Sequence, residues 1–264
     1  MNVLNSYRSE WILLNRRRLW VVLGAVTAAF TVLATIVTLS TAESYVGGDS
    51  VGLALEALVG AGGATAAVVF SVGFSSILVL AAFASSTGNE FARGTLRAAL
   101  TKQPSRWSLI TGKLAARVTV ALMLMLGALV VGAVTAAVFA PVEDISTAGW
   151  FTADALGDAV VDYGRLLVFV VMFALVGTTI AVLVRSTPVA LGIGLLWFGP
   201  IENVIGENRA FADRWFPGLV LRSLVQPDNP ESLATGTVLA TLAAYAAVCV
   251  AVIATVMARR DVTV

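Results

Sequence analysis

The sequence predicts an all-α integral membrane protein with six transmembrane helices, and three observations carry that prediction. The chain has 264 residues, of which 58% are apolar and 12% charged, and its mean hydropathy is +0.91. Soluble domains run nearer to about 45–50% apolar and about 25% charged. The apolar residues fall into six runs, most of them close to the ~20 residues that a spanning helix needs. Finally, the basic residues are distributed asymmetrically between the segments that alternate around those runs.

The runs predict spans at about 19–39, 64–86, 118–140, 166–184, 187–205 and 236–258. Five of them carry no Asp, Glu, Lys or Arg. The fifth run has only 16 residues between Arg185 and Glu202. It must tilt, thin the bilayer or hold Glu202 at its end. With both termini placed in the cytoplasm, thirteen of the 17 basic residues lie inside: Arg8, Arg16, Arg17, Arg18, Arg93, Arg97, Lys102, Arg106, Lys113, Arg117, Arg185, Arg259 and Arg260. Only Glu10, Glu90 and Asp261 among the acids join them. The first run is 21 residues long, longer than the ~7–15-residue apolar core of a signal peptide, so it reads as a retained span.

Residues 1–18 precede that span. Leu4, Tyr7, Trp11 and Leu14 recur at helical spacing, with Arg8, Asn15 and Arg16 off their face. The pattern predicts an amphipathic helix lying along the inner leaflet.

Composition also excludes functions. There is no histidine, so His-based acid–base catalysis and His–metal sites are impossible. The single cysteine, Cys249, can build neither an intrachain disulfide nor a metal knuckle. A formal net charge of +1 gives no global case for nucleic acid as a partner. Ion-coupled carriers and voltage sensors need ionisable groups at membrane depth, and Glu202 is the only candidate. Gly112-Lys113 is not a phosphate-binding loop, because Trp107 stands where the first glycine belongs and Leu114 where Ser or Thr belongs. This chain is therefore expected to bind no cofactor of its own.

Residues 87–117 read as a 31-residue cytoplasmic loop with six basic residues and one acid. Phe91 to Thr101 is compatible with a helix, Pro104 breaks it, and Ser105 can cap a second helix with Trp107, Ile110, Leu114 and Val118 on one stripe. The result would be an elbow running into the third span. A basic loop that only satisfies the charge asymmetry is the plainer alternative.

The string Glu90, Gly94-Thr95-Leu96-Arg97, Pro104-Ser105-Arg106 and Gly112-Lys113 resembles the loop between the second and third spans of type-2 ABC exporter permeases. A weaker likeness covers Ile201-Glu202 and Arg214-Trp215-Phe216-Pro217-Gly218, which is similar to the short re-entrant region before the last span of that family. The resemblance implies a permease subunit whose loop holds a cytoplasmic coupling helix, docked on a separate ATPase subunit that binds ATP and Mg. A second permease subunit, the same chain or a sister, would complete the path. It implies coupling roles for Glu90, Arg93, Gly94, Thr95, Leu96, Arg97, Pro104, Ser105 and Arg106. Glu90 and Arg97 would pair with charges on the ATPase, Gly94 and Thr95 would allow its close approach, and Pro104 would set the elbow's angle. Glu202, toward the outer end of the fifth span, and Trp215 and Pro217, in a re-entrant region at 206–235, become outer-gate candidates. The implied setting is the bacterial cytoplasmic membrane, and the cargo a drug, natural product, peptide or lipid. The alternative is a membrane assembly or immunity factor that transports nothing.

Three further features are read as structural. Ala240, Ala244, Ala247, Ala251, Ala254 and Ala258 form a small-residue face on the sixth span, expected to pack within the chain, with a subunit interface as the sharper alternative. Glu202 is expected at the outer interface, solvated, with polarising the exit region or capping the re-entrant turn as the sharper alternative. Glu143, Asp144, Asp154, Asp158 and Asp162 read as a solvated outer loop, with an amphipathic element as the alternative, since Trp150, Phe151, Leu156 and Val160 intersperse the acids.

Overall fold

A computed structural model describes residues 3–42, 53, 55–102, 105–206, 209–225 and 233–259; within these, the side chains at 73–76, 97, 102 and 210 lie outside the description. Pro104 is therefore outside the described residues, and so is the side chain of Arg97. Among the described residues every regular element is helical. They are α1 (Val3–Leu14), α2 (Arg17–Ser40), α3 (Leu55–Val59), α4 (Gly63–Ala92), α5 (Thr95–Lys102), α6 (Arg106–Phe139), a 3₁₀ turn (Ala140–Glu143), α7 (Ala153–Val184), α8 (Thr187–Leu196), a π-helix (Trp197–Ile205), α9 (Ala210–Trp215), α10 (Pro217–Val225) and α11 (Thr235–Arg259).

Five unbroken stretches are long and apolar enough to cross a membrane: α2, α6, α7, α8 with the π-helix, and α11. The sixth is α4, if its arms Gly63–Val72 and Ile77–Ala92, inclined at 52°, form one span. The protein is a multi-pass membrane protein. Successive spans alternate in direction and leave two ends. At one end Arg106 reaches the carbonyl of Met257, and Thr187 donates to Asn89. This end carries most of the arginines and is called the basic end below. At the opposite end the Trp150 indole donates to the carbonyl of Leu58 at 2.8 Å, and Leu39, Ala67, Ala136 and Ala140 pack around Trp150.

The packing inverts the rule for soluble helices. On α2 the buried side chains include Thr31, Thr35 and Thr38, while Val21, Val22, Val26, Leu33 and Val37 face outward. Lipid is as apolar as leucine, so helices associate through small residues that let backbones approach. The central helix is α7, with 56% of its most apolar stretch buried against 17–22% for the other unbroken spans. It crosses α4 where a Cβ on Gly177 would lie 2.9 Å from the Leu80 carbonyl oxygen and 3.1 Å from the Ala84 nitrogen. Ala84, Ala174 and Ala181 continue this close seam, each fully buried. Phe169, Phe173, Leu80 and Phe198 fill the core beside it.

The helix that carries the fourth apolar run begins at Ala153, ahead of that run, because Thr152 caps it through the Ala155 amide at 3.2 Å. Asp154, Asp158 and Asp162 thus belong to a helix rather than a loop. Asp162 is buried, held by the Thr65 hydroxyl at 2.5 Å and Arg165 at 2.8 Å. The 87–117 segment holds the short helix and the helix running into the third span that its sequence predicts. Helix α4 continues to Ala92 and α6 starts at Arg106, so the two spans project past the apolar zone as a stalk, with α5 across its tip. Ser105 caps α6 through the Ser108 amide at 3.4 Å, as the sequence predicts.

The alanine face of α11 is not consumed by packing within the chain: Ala240, Ala244, Ala247, Ala251 and Ala258 are exposed. The close seam at Gly177 makes a direct prediction. Gly177→Ala should destabilise the protein by about 1–3 kcal/mol through overpacking against backbone that cannot give way. Gly127→Ala, where a new Cβ meets nothing within 4 Å, should not. Thermal unfolding of the two variants in detergent checks this, and equal melting temperatures would contradict the seam.

Candidate functional site

Besides Asp162 with Thr65 and Arg165, two polar clusters stand out among the described residues, one at each end of the bundle. At the basic end, Lys113 and Arg117 are one turn apart on α6 and face two acids from other helices. Lys113 Nζ lies 3.2 Å from Glu10 of α1 and 2.7 Å from Glu90 of α4. Arg117 lies 2.7 Å from Glu10 and also pairs with Glu90. Its second Nη donates to the hydroxyls of Ser86 and Thr87, both at 3.2 Å. The four charged side chains are only 7–15% exposed. Largely desolvated charges of this kind persist only when paired and hydrogen-bonded. Two acids balance two bases, so the cluster is neutral.

The cluster seats α1 on α6. A Cβ on Gly112 would meet Ser6 Cβ at 2.5 Å and the Val3 oxygen at 2.6 Å, so only glycine lets the helix backbones touch there. The buried residues of α1 are Ser6 and Glu10. The face turned to α6 is the one carrying Ser6 and Glu10, while Tyr7, Trp11 and Leu14 are half-buried beside it and Leu4 is 54% exposed. The physical reason is that α6 presents cations, and they select the helix face carrying the acid.

The elbow hangs from this anchored stalk. Gly94 ends α4 with φ +67°, a left-handed conformation natural to glycine, and nothing lies near it. The Thr95 hydroxyl donates to the Glu90 carbonyl at 3.3 Å. Leu96 is buried and pins the underside of α5. Arg93, Gly94, Thr95 and Ser105 are exposed. Arg106 is turned inward to the Met257 carbonyl at 3.0 Å, at the end of α11. Glu90 is committed to Lys113 and Arg117, so its work within the chain is to fix the elbow's base. A cavity of about 20 Å³, room for one water, lies between Thr87, Glu90, Arg117 and Thr178.

At the opposite end the fifth span changes winding. Pro200 has no N–H to give and its ring crowds the preceding turn, and Trp197–Ile205 widens into a π-helix. Widening brings residues five apart into register. The Trp197 indole donates to Glu202 at 2.7 Å, and Asn203 donates to the carbonyls of Phe198 at 3.2 Å and Gly199 at 2.7 Å. Glu202 is 2% exposed, which corrects the expectation of a solvated residue. Its carboxylate also accepts the Gly218 amide at 3.1 Å, so it caps the first turn of α10 from another helix. A Cβ on Gly218 would fall 2.0 Å from Glu202 Oε2.

The three outer-gate candidates therefore gather at one junction. Pro217 starts α10, and Trp215 ends α9 with its carbonyl accepting the Tyr245 hydroxyl. Phe216 between them packs against Trp197, with ring centroids 5.8 Å apart. Beyond the junction α10 turns into the protein core, where Val220, Leu221 and Leu224 are buried. Arg222 donates to Asn203 at 2.8 Å and closes the knot.

Sequence reasoning missed Glu10 and Arg117 as anchors, Asp162 as a buried acid, and Asn203, Gly218 and Arg222 at the knot. The Lys113–Arg117 spacing of one turn was a signal available for the first pair. Among the described residues no three His, Cys, Asp or Glu side chains group to hold a metal ion.

If Glu202 works as an acceptor for Trp197 and Gly218, Glu202→Gln should keep both bonds and lose little stability. Glu202→Ala should cost about 1–3 kcal/mol by leaving two donors unsatisfied. Thermal unfolding of both variants tests this, and an alanine variant as stable as the glutamine one would contradict the capping role.

No curated protein matches the chain. The family described as Protein of unknown function (DUF2705) matches residues 51–263, from before α3 to beyond the end of α11. The chain belongs to that family.

Proposed function

We propose that this chain is the membrane-spanning permease subunit of an ATP-driven ABC exporter. The basic end faces the cytoplasm of a bacterial cell, where a separate ATPase subunit docks. A second permease subunit, the same chain or a sister, completes the path. The cargo class is a drug, natural product, peptide or lipid.

One observation carries this reading. A short helix, α5, is held across the ends of two spans that project beyond the apolar zone, and those spans are tied to α1 by buried ion pairs. Such an element can transmit a push, because its base does not yield while its outer face is free. Arg93, Thr95, Ala98, Thr101 and Ser105 are exposed on or beside it. Movement of α5 would pass to α4, and through the Gly177 seam to the central α7. The bend of 52° in α4 offers a place for that motion to concentrate. Resemblance of the Glu90–Lys113 string to exporter coupling loops supports the same assignment. The uncovered alanine face of α11 leaves room for close contact with another membrane helix.

Purification of the chain from its native membrane, with mass spectrometry of the associated proteins, tests the reading. A stoichiometric ATPase subunit is the expected result. Arg93→Glu should reduce retention of that subunit at least about tenfold, the scale of one lost charge-assisted contact, without lowering the melting temperature. Absence of any ATPase, even after crosslinking through residues 93–105, would overturn it.

A further inference from the structure

Arg16, Arg17 and Arg18 stand at the junction of α1 and α2, and Arg8 lies about two turns earlier on α1. Arg8, Arg16, Arg17 and Arg18 are all exposed, and among the described residues none of them forms an ion pair. Glu10 is the only acid between Val3 and Ala42, and it is turned inward to Lys113 and Arg117. The outward surface there is consequently cationic, and among the described residues no ion pair offsets it. No acid stands in the first turn of α2 either, so three cations crowd the positive end of a 24-residue helix.

The surroundings indicate what covers this patch. The membrane-spanning run of α2 begins at Leu19, immediately after Arg18, so Arg16–Arg18 lie at the depth of the lipid headgroups. Beside them Ile12 is 72% exposed and Leu13 52%, an apolar surface that points away from the protein. Trp20 donates to Asn15 at 3.1 Å and meets Trp11 edge to face, and Trp11 stacks on Tyr7. Aromatic rings with polar tips prefer that same boundary. Cations at headgroup depth, apolar side chains beside them and an aromatic girdle fit one partner, an anionic leaflet.

The geometry points to a binding surface for anionic phospholipid headgroups, formed by Arg16, Arg17 and Arg18 at the α1–α2 corner together with Arg8 on α1. The guanidinium groups bind headgroup phosphates by charge-assisted hydrogen bonds, while Ile12 and Leu13 enter the acyl boundary. Because α1 is clamped to α6 through Glu10, lipid held at this corner steadies the base of the elbow. The inference stands independently of the exporter reading.

The test uses the full chain, purified in neutral detergent and stripped of lipid. It is then exposed to phosphatidylglycerol or phosphatidylcholine, and retained lipid is counted by native mass spectrometry. Each basic residue near an anionic surface contributes about a fivefold preference, so phosphatidylglycerol should be retained at least about fivefold over phosphatidylcholine. The triple variant R16Q/R17Q/R18Q should lose that preference, and R16K/R17K/R18K should keep it. Millimolar inorganic phosphate should leave phosphatidylglycerol in place. Equal retention of the two lipids, undiminished preference in the glutamine variant, or displacement by free phosphate would each overturn the assignment. If the triple glutamine variant fails to fold, Arg8→Gln and Arg17→Gln are measured singly, and the proposal falls if neither lowers the preference.

Discussion

Two carboxylates and two cations meet at the base of the bundle, and the placement of α1, α4 and α6 hangs on them. Glu10 comes from the first helix, Glu90 from the stalk end of α4, and Lys113 with Arg117 from α6. Removing such charges from water costs several kcal/mol each, and the pairing offsets this only when the geometry is complete. The net gain in stability is therefore small. What the cluster supplies is uniqueness: any other rotation of α1 would strand a buried acid, and any slip of α4 against α6 would strand a buried cation. The elbow inherits its position from this arrangement.

The same logic operates at the opposite end with a single carboxylate. Glu202 sits where a π-helix widened at Pro200 meets the start of α10. A buried acid here is tolerated because three sources of positive potential converge: an indole N–H, a backbone amide and the helix start behind it. Between the two polar ends lies a body whose helices meet closely at alanine and glycine and bury Leu80, Leu166, Phe169 and Phe173 around α7, with the remaining aliphatics turned outward. The protein is thus polar and specific at its ends and smooth in its middle. Rigid-body movement between helices favours that arrangement, since few directional bonds must break.

Much of the fold was legible in the sequence because the bilayer imposes a long-range constraint that composition records directly. Runs of about 20 apolar residues announced the spans, and Ser105 announced the start of α6. Asp154, Asp158 and Asp162 look like loop residues, yet they lie on α7, and Asp162 is satisfied by Thr65, nearly 100 residues away in sequence. Long-range satisfaction of a polar group leaves no local trace. Glu202 was misplaced for the same reason, since its partner Gly218 lies on another helix. In 87–117 charge asymmetry alone cannot separate cations facing water from Lys113 and Arg117, which face acids. On α1 the apolar spacing drew attention to Leu4 and Trp11, whereas the decisive residue was the single acid opposite two cations.

The most direct test of the account is a double-mutant cycle on Glu10 and Arg117, whose side chains approach to 2.7 Å across α1 and α6. Unfolding free energies of Glu10→Gln, Arg117→Gln and the double variant would be measured on the full chain in detergent. The account predicts a coupling energy of at least about 1 kcal/mol, because each single change leaves a desolvated charge that the double change removes. Effects that simply add, to within about 0.5 kcal/mol, would contradict the claim that this cluster holds the base of the protein together.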